Sequence, residues 1–278
     1  MSNSINIEQE ELWNGSFGEG FIRSEDYLHR LIEPFSKTAI DRVNAQPGDY
    51  ILDVGCGCGS TSIALAQSGA KIRGIDISEK MISRAIEKSK GISDIAFHAT
   101  DAASETFKVE YTHIFSQFGV MFFSDPYAAF SNIRSGLKEK GKITFLCWQG
   151  LSENEWISST NEALESFQPE GMTPPDPKSP GGFAFADKQY VMDILKSANF
   201  TNIAIESLKA KFNMGESAEE IMSLHLNVGP LSVLLGTLSK ESGREAIEVV
   251  KKSLEDQMEN NGLQLSAAAW LVTAETKV

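Results

Sequence analysis

"LDVGCGCGST", Leu52 to Thr61, joins an apolar run ending in an acid to three glycines interleaved with two cysteines. Such a stretch serves a phosphate-gripping loop, a metal-binding pair of thiols, or a turn built for another ligand. Its flanks place it. "YILDV" (Tyr50 to Val54) is apolar on both faces, as a central parallel strand is, and Ser60 to Ala70 reads as the helix after it. The glycines therefore form a strand-to-helix turn.

The same alternation continues outward, and it predicts a parallel sheet with crossover helices. "KIRGID" (Lys71 to Asp76), "DIAFHAT" (Asp94 to Thr100), "THIFSQF" (Thr112 to Phe118) and "KITFLCW" (Lys142 to Trp148) read as strands two to five. Ser78 caps a helix with Met81, Ile82, Ala85 and Ile86 on one side; Asp125-Pro126 starts another whose stripe is Tyr127, Phe130, Ile133 and Leu137. "QPEGMTPPDPKSPGG" (Gln168 to Gly182) holds five of the nine prolines and reads as a surface loop. Asp187 to Ser197 follows as a helix, with strands at Asn202 to Phe212 and Leu263 to Ala274. Between those strands, Ser217-x-x-Glu220 and Ser242-x-x-Glu245 resemble capping boxes, the second opening a helix with Ile247, Val250, Leu254 and Met258 on one face.

The fold class expected is α/β, a doubly wound, seven-stranded, mostly parallel Rossmann-like sheet with a helical cap. As domains this is one unit: core 34–150, 187–212 and 263–278, cap or lid 1–33, 151–186 and 213–262. In such sheets the ligand sits outside the carboxyl ends of the strands, at the switch point beside the first. The glycine turn is there.

Composition narrows the partners. Twenty-five Lys+Arg against 38 Asp+Glu give a net charge of -13, which repels nucleic-acid phosphates and anionic lipid, so a small molecule is the expected partner. The start "MSNSINIEQEELW" lacks a signal peptide's basic and apolar regions, and no apolar run approaches the roughly 20 residues of a membrane helix. Three sparse cysteines fit a reducing compartment, so a cytoplasmic protein, monomer or homodimer, is expected.

Cys56 and Cys58 need further soft ligands to hold zinc, and only Cys147 and four scattered histidines are on offer; they read as small fillers of a tight turn. A dinucleotide fingerprint needs a third glycine where Ser60 stands. Asp53, two residues before Gly55, is a poor neighbour for a pyrophosphate and a good one for an ammonium. S-adenosyl-L-methionine offers that zwitterionic tail plus a ribose for Asp76, 23 residues after Asp53, and an adenine amino group for Asp101.

"LDVGCGCGST", "GIDIS", "ATDAA" and "FSQFGVMFFSDP" together resemble the successive motifs of class I S-adenosylmethionine-dependent methyltransferases, in particular the ubiquinone/menaquinone-biosynthesis-like bacterial group. The likeness runs from "LWNGSFGEGF" (Leu12 to Phe21) through "GGFAFAD" (Gly181 to Asp187) to "AAAWLVTA" (Ala267 to Ala274). It implies a small-molecule methyltransferase that releases S-adenosyl-L-homocysteine. It also implies that Asp53, Gly55 and Gly57 hold the methionine end and Asp76 the ribose. Ile77 and Met81 would flank the adenine, Asp101 and Ala102 lie at its edge, and Ser116 lie near the methionine. Thr112 and Gln117 depart from the Asp and Arg of many relatives, and the second change puts recognition of an anionic substrate in doubt.

Methyl transfer from a sulfonium needs alignment in a dry cavity more than a catalytic triad, so no base is assigned. Trp13, Phe17, Phe118, Met121, Phe122, Trp148 and Phe183 are the expected pocket lining. Of the histidines, His225 is the candidate to face a substrate, against the alternative of a solvated or structural role; His98 and His113 read as packed core or edge residues of strands and His29 as surface. The competing readings are an NAD(P)-dependent oxidoreductase and a non-catalytic S-adenosylmethionine-binding protein.

Overall fold

The computed structural model describes residues 6–168 and 176–277. Three helices come first: α1 (Ile7–Asn14), α2 (Ser16–Arg23) and α3 (Glu25–Val43). The alternating part then runs β1 (Tyr50–Val54), α4 (Ser60–Ala66), β2 (Lys71–Asp76), α5 (Glu79–Lys88), β3 (Ile95–Ala99), β4 (Tyr111–Gln117), α6 (Pro126–Ser135) and β5 (Leu137–Trp148). After it come α7 (Glu155–Ala163), α8 (Lys188–Ser197), β6 (Phe200–Gly215), α9 (Ala218–His225), α10 (Pro230–Leu235), α11 (Lys240–Gln257) and β7 (Leu263–Thr276).

All seven strands join one sheet in the order β3-β2-β1-β4-β5-β7-β6. β7 slots between β5 and β6, antiparallel to both, and every other neighbouring pair is parallel. β1 is flanked by β2 and β4, with Asp53 opposite Gly74 on one side and Phe115 on the other. The chain leaves β1 toward β2 and later returns to its other side, which opens a crevice at the carboxyl ends of β1 and β4.

Local signals set these boundaries. Ser78 accepts a hydrogen bond from the Met81 N–H, Asp125 from Ala128 with Pro126 in the first turn, and Ser217 from Glu220. At α11 the cap is Ser239, whose hydroxyl accepts from the Ser242 N–H, so Ser242 lies in the first turn instead of opening the helix. α4 stops at Ala66, short of Ala70, because the chain turns through Gly69 at φ 84°. β6 and β7 outrun their expected ends, since together they form a long antiparallel ladder. The charged run from Lys138 to Lys142 belongs to β5, with a register shift against β4.

Helix faces follow most of the expected stripes, but Leu137 falls in β5 and Met258 just past the end of α11. Tyr127 and Ile86 point outward, at 39% and 49% exposure, while Pro126 and Ala129 of α6 turn in. α3 runs unbroken through residue 34, the expected start of the core, with Pro34 inside the helix. Residues 169–175 of the proline-rich stretch lie outside the described residues; 176–182 form turns and bends. No helix of the described residues is long and apolar enough to cross a membrane.

Candidate functional site

The turn after β1 is set by backbone that only glycine adopts readily: Gly55 and Gly57 have φ of 67° and 53°. A Cβ on Gly55 would stand 2.9 Å from the Gly119 Cα, so the β1 turn and the end of β4 touch backbone to backbone. Gly57 is open on its outer side, with only the Met81 sulfur near, at 3.9 Å.

Asp76 closes the end of β2. Its Oδ2 accepts from the Gly57 N–H at 2.8 Å and its Oδ1 from the Ser78 N–H at 2.9 Å, which fixes the carboxylate between turn and helix. Burial nonetheless raises its pKa, against the lowering by these N–H groups. Asp101 is held by the Asn6 amide at 2.7 Å and the Ala103 N–H at 2.9 Å.

These groups open on a cavity of about 600 Å³, in the range of small-molecule sites. Of the residues expected to hold the cofactor, Gly55, Gly57, Asp76, Ile77, Met81, Asp101 and Ala102 line it. So do all seven apolar residues expected in the pocket: Trp13, Phe17, Phe118, Met121, Phe122, Trp148 and Phe183. Trp13 packs edge-on against Phe17 and Phe122, at 5.2 Å and 5.0 Å between ring centres. Phe118 stacks flat on Trp148 at 3.9 Å and 10°. Its backbone sits at φ 57°, a left-handed conformation strained for a bulky residue and held by a hydrogen bond to Leu146.

Three expected residues stand elsewhere. Asp53 is fully buried behind the turn, where its Oδ2 accepts from Thr61 at 2.9 Å and Ser62 at 2.6 Å. The hydroxyls of α4 draw the carboxylate under the helix, off the cavity wall. Burial pushes its pKa up to about 6; Ser62 and Thr61 oppose this and the nearby Asp76 charge adds to it. Ser116 is likewise fully buried. His225, on the inner face of α9, is 2% exposed and does not line the cavity; burial lowers its pKa to about 4. A helical face shared with Ile221, Met222 and Leu224 buries it.

The cavity also takes residues that were not singled out for it: Asn6, Gln9 and Phe21 from the first helices, Gln117 from β4, Trp156 from α7 and Phe212 from β6. Asn6, Gln9 and Trp13 are three and four apart, so the Trp13 assignment carried its helical neighbours with it. His29, read as surface, is exposed yet borders the same cavity. The strap made by α1 and α2 is pinned at both sides. Ser78 donates to the Trp13 carbonyl at 2.9 Å, Asn14 to the Ile77 carbonyl at 3.1 Å, and Arg23 to the Asn227 amide oxygen at 2.8 Å.

The thiols are protonated fillers. Burial raises the pKa of Cys56 well above its usual value and that of Cys58 to about 12.

A methyltransferase-domain family model matches residues 51–141. Phosphoethanolamine N-methyltransferase 1 of Arabidopsis thaliana is 25% identical over 199 residues, 70% of this chain and 36% of the relative. The chain thus spans about a third of that relative's length. Among solved structures, the YcgJ protein of Bacillus subtilis aligns with a TM-score of 0.56 at 16% identity, covering 87% of this chain and 98% of its own. Haemonchus contortus phosphoethanolamine N-methyltransferase 2, determined with phosphomonomethylethanolamine and S-adenosylhomocysteine, aligns with a TM-score of 0.54 at 16% identity over 88% of this chain and 53% of that one. The fold is shared with both solved structures.

Proposed function

We propose, from a chain that carries a class I methyltransferase domain, that it transfers a methyl group from S-adenosyl-L-methionine to a small, partly apolar acceptor. One observation carries this: a glycine turn and a doubly anchored Asp76 meet on the wall of a cavity lined by aromatic rings and, among the described residues, by no lysine or arginine.

The residues fit that cofactor. The Asp53 Oδ1 is buried with no partner among the described residues, just behind the turn, so negative potential reaches the place where an ammonium would lie. Asp76 is positioned for the ribose hydroxyls, its orientation already fixed by Gly57 and Ser78. Ile77 and Met81 offer apolar flanks for the adenine, with Asp101 and Ala102 at its edge. When bound, S-adenosyl-L-methionine supplies an electrophilic methyl group on a sulfonium. The chain's part is to align and to exclude water: the turn and β2 fix one reactant, the rings fix the other, and the strap of α1 and α2 shields both. A dinucleotide fits less well, because Asp53 sets negative charge against a diphosphate and Ser60 stands where the fingerprint has its third glycine.

The -13 net charge supports a small-molecule acceptor over nucleic acid, and the three free cysteines support a cytoplasmic setting. The N-terminal strap and the α9–α11 stretch act as cap over the sheet, in a monomer or homodimer. Titration calorimetry with S-adenosylhomocysteine and with NADH tests the reading: micromolar or tighter binding of the first alone is expected, and binding of NADH alone overturns it.

A further inference from the structure

The cavity wall holds a polar group for which the fold itself has no use. Gln117 ends β4, paired with Leu146 of β5 through its backbone, and its side chain lines the cavity. The amide oxygen is buried and has no hydrogen-bond partner among the described residues. A buried carbonyl oxygen left without a partner is costly, so such a group persists where something else satisfies it. Its neighbours hold it in place. The next residue, Phe118, is locked in its left-handed conformation and stacked on Trp148, and Gly119 is wedged against Gly55. The amide thus stands between the turn proposed for the cofactor and a flat aromatic wall.

The charge around it sets the sign of what it meets. Glu25, Asp76 and Asp101 border the cavity, and no lysine or arginine of the described residues does. A phosphate or carboxylate on the acceptor would enter a site bordered by three carboxylates, with no lysine or arginine to pair with and, among the described residues, His29 as its one basic side chain. An amide serves a neutral partner instead: its oxygen accepts from a hydroxyl or N–H, and its nitrogen donates to an oxygen.

Resting on the methyltransferase reading above, we infer that Gln117 is the specificity-determining residue for an uncharged, ring-bearing acceptor, whose hydroxyl or N–H it holds beside the Phe118–Trp148 stack. Discrimination against anions is then built into the end of β4, and an arginine at this position would reverse it.

The test uses the full chain saturated with S-adenosylhomocysteine and two matched pairs of probes: 2-naphthol with 6-hydroxy-2-naphthoate, and 4-propylphenol with 3-(4-hydroxyphenyl)propanoate. Calorimetry on the wild type is expected to show the neutral member of each pair binding about tenfold tighter or more. Gln117→Leu should weaken the neutral phenols about tenfold while S-adenosylhomocysteine affinity holds, and Gln117→Arg should turn the preference toward the carboxylates. The inference is overturned if the carboxylates bind the wild type as well as the phenols do, if neither phenol binds, or if the leucine variant keeps the phenol affinity. Loss of S-adenosylhomocysteine affinity in a folded leucine variant also overturns it, because Gln117 would then serve the cofactor. A wild type that fails to bind S-adenosylhomocysteine refutes the earlier reading instead, and the two failures are distinct.

Discussion

Gly20 of α2 lies so close to Asn227 that a methyl group on its Cα would overlap the Asn227 carbonyl oxygen. The N-terminal strap and the turn before α10 therefore meet backbone to backbone, and Arg23 ties the same two segments at 2.8 Å. Gly20→Ala sets two effects against each other. Helix propensity favours alanine by about 1 kcal/mol, whereas forcing a methyl into a closed contact costs about 1 to 3 kcal/mol. A net loss of stability in urea is expected, together with weaker retention of S-adenosylhomocysteine as the strap is pushed off. Unchanged or higher stability would show that the strap is not seated on Asn227.

Asp76→Ala should weaken S-adenosylhomocysteine binding by about 1 to 3 kcal/mol, since charge-assisted hydrogen bonds to the ribose are lost. The same change frees the Gly57 and Ser78 N–H groups, so the turn itself should loosen. Asp76→Asn keeps one acceptor oxygen and should fall between the two. Calorimetry on the three proteins gives the order, and equal affinities would remove Asp76 from the cofactor site.

The β1 turn was legible because its signals are local: glycines at positive φ, a capping Ser78, and strand periods that need no knowledge of the rest of the chain. The side of the turn on which Asp53 sits was not, because that depends on Thr61 and Ser62 reaching back from α4, a contact between elements. Trp13 and Phe17 stand out by type and place alone, since rings in the first helices, outside the sheet, have little else to pack against, and they border the cavity. For His225 the sequence leaves two readings, because a histidine on a cap helix suits a substrate or a structural role alike, and only the packing of α9 shows that its face turns inward. At Gln117 the sequence shows only a missing cation; that its amide oxygen is buried with no partner among the described residues depends on how β4 is set against the turn.

His225 also makes a stability prediction. Both ring nitrogens are buried with no partner among the described residues, and burial lowers the pKa to about 4, below the ordinary histidine value. A histidine lowered in the fold supports stability above about pH 6.5 and costs it as pH falls toward 4, by about 2 kcal/mol at pH 5. His225→Leu removes both the unpaired nitrogens and this penalty. The variant should be as stable as the wild type or more so at pH 7.5, with a larger advantage at pH 5. Denaturant titrations at the two pH values check it, and a parallel loss at both would mean the imidazole has a partner in solution.

Asp53 couples the site to pH. Burial raises its pKa to about 6, so what it adds to folding stability is present below the ordinary carboxylate range and is lost as pH rises through about 6. A cation bound at the turn favours the ionised form and draws that pKa back down, so below pH 6 binding must release a proton. Affinity for S-adenosylhomocysteine, whose tail carries an ammonium, should therefore rise with pH and be about tenfold weaker at pH 5 than at pH 7.5. 5′-Methylthioadenosine lacks that tail and should show no such rise, and Asp53→Asn should flatten the profile for S-adenosylhomocysteine. Calorimetry in buffers of different ionisation enthalpy counts the protons directly. A flat wild-type profile, or one that 5′-methylthioadenosine follows equally, would place the ammonium away from Asp53 and leave the turn without its electrostatic role.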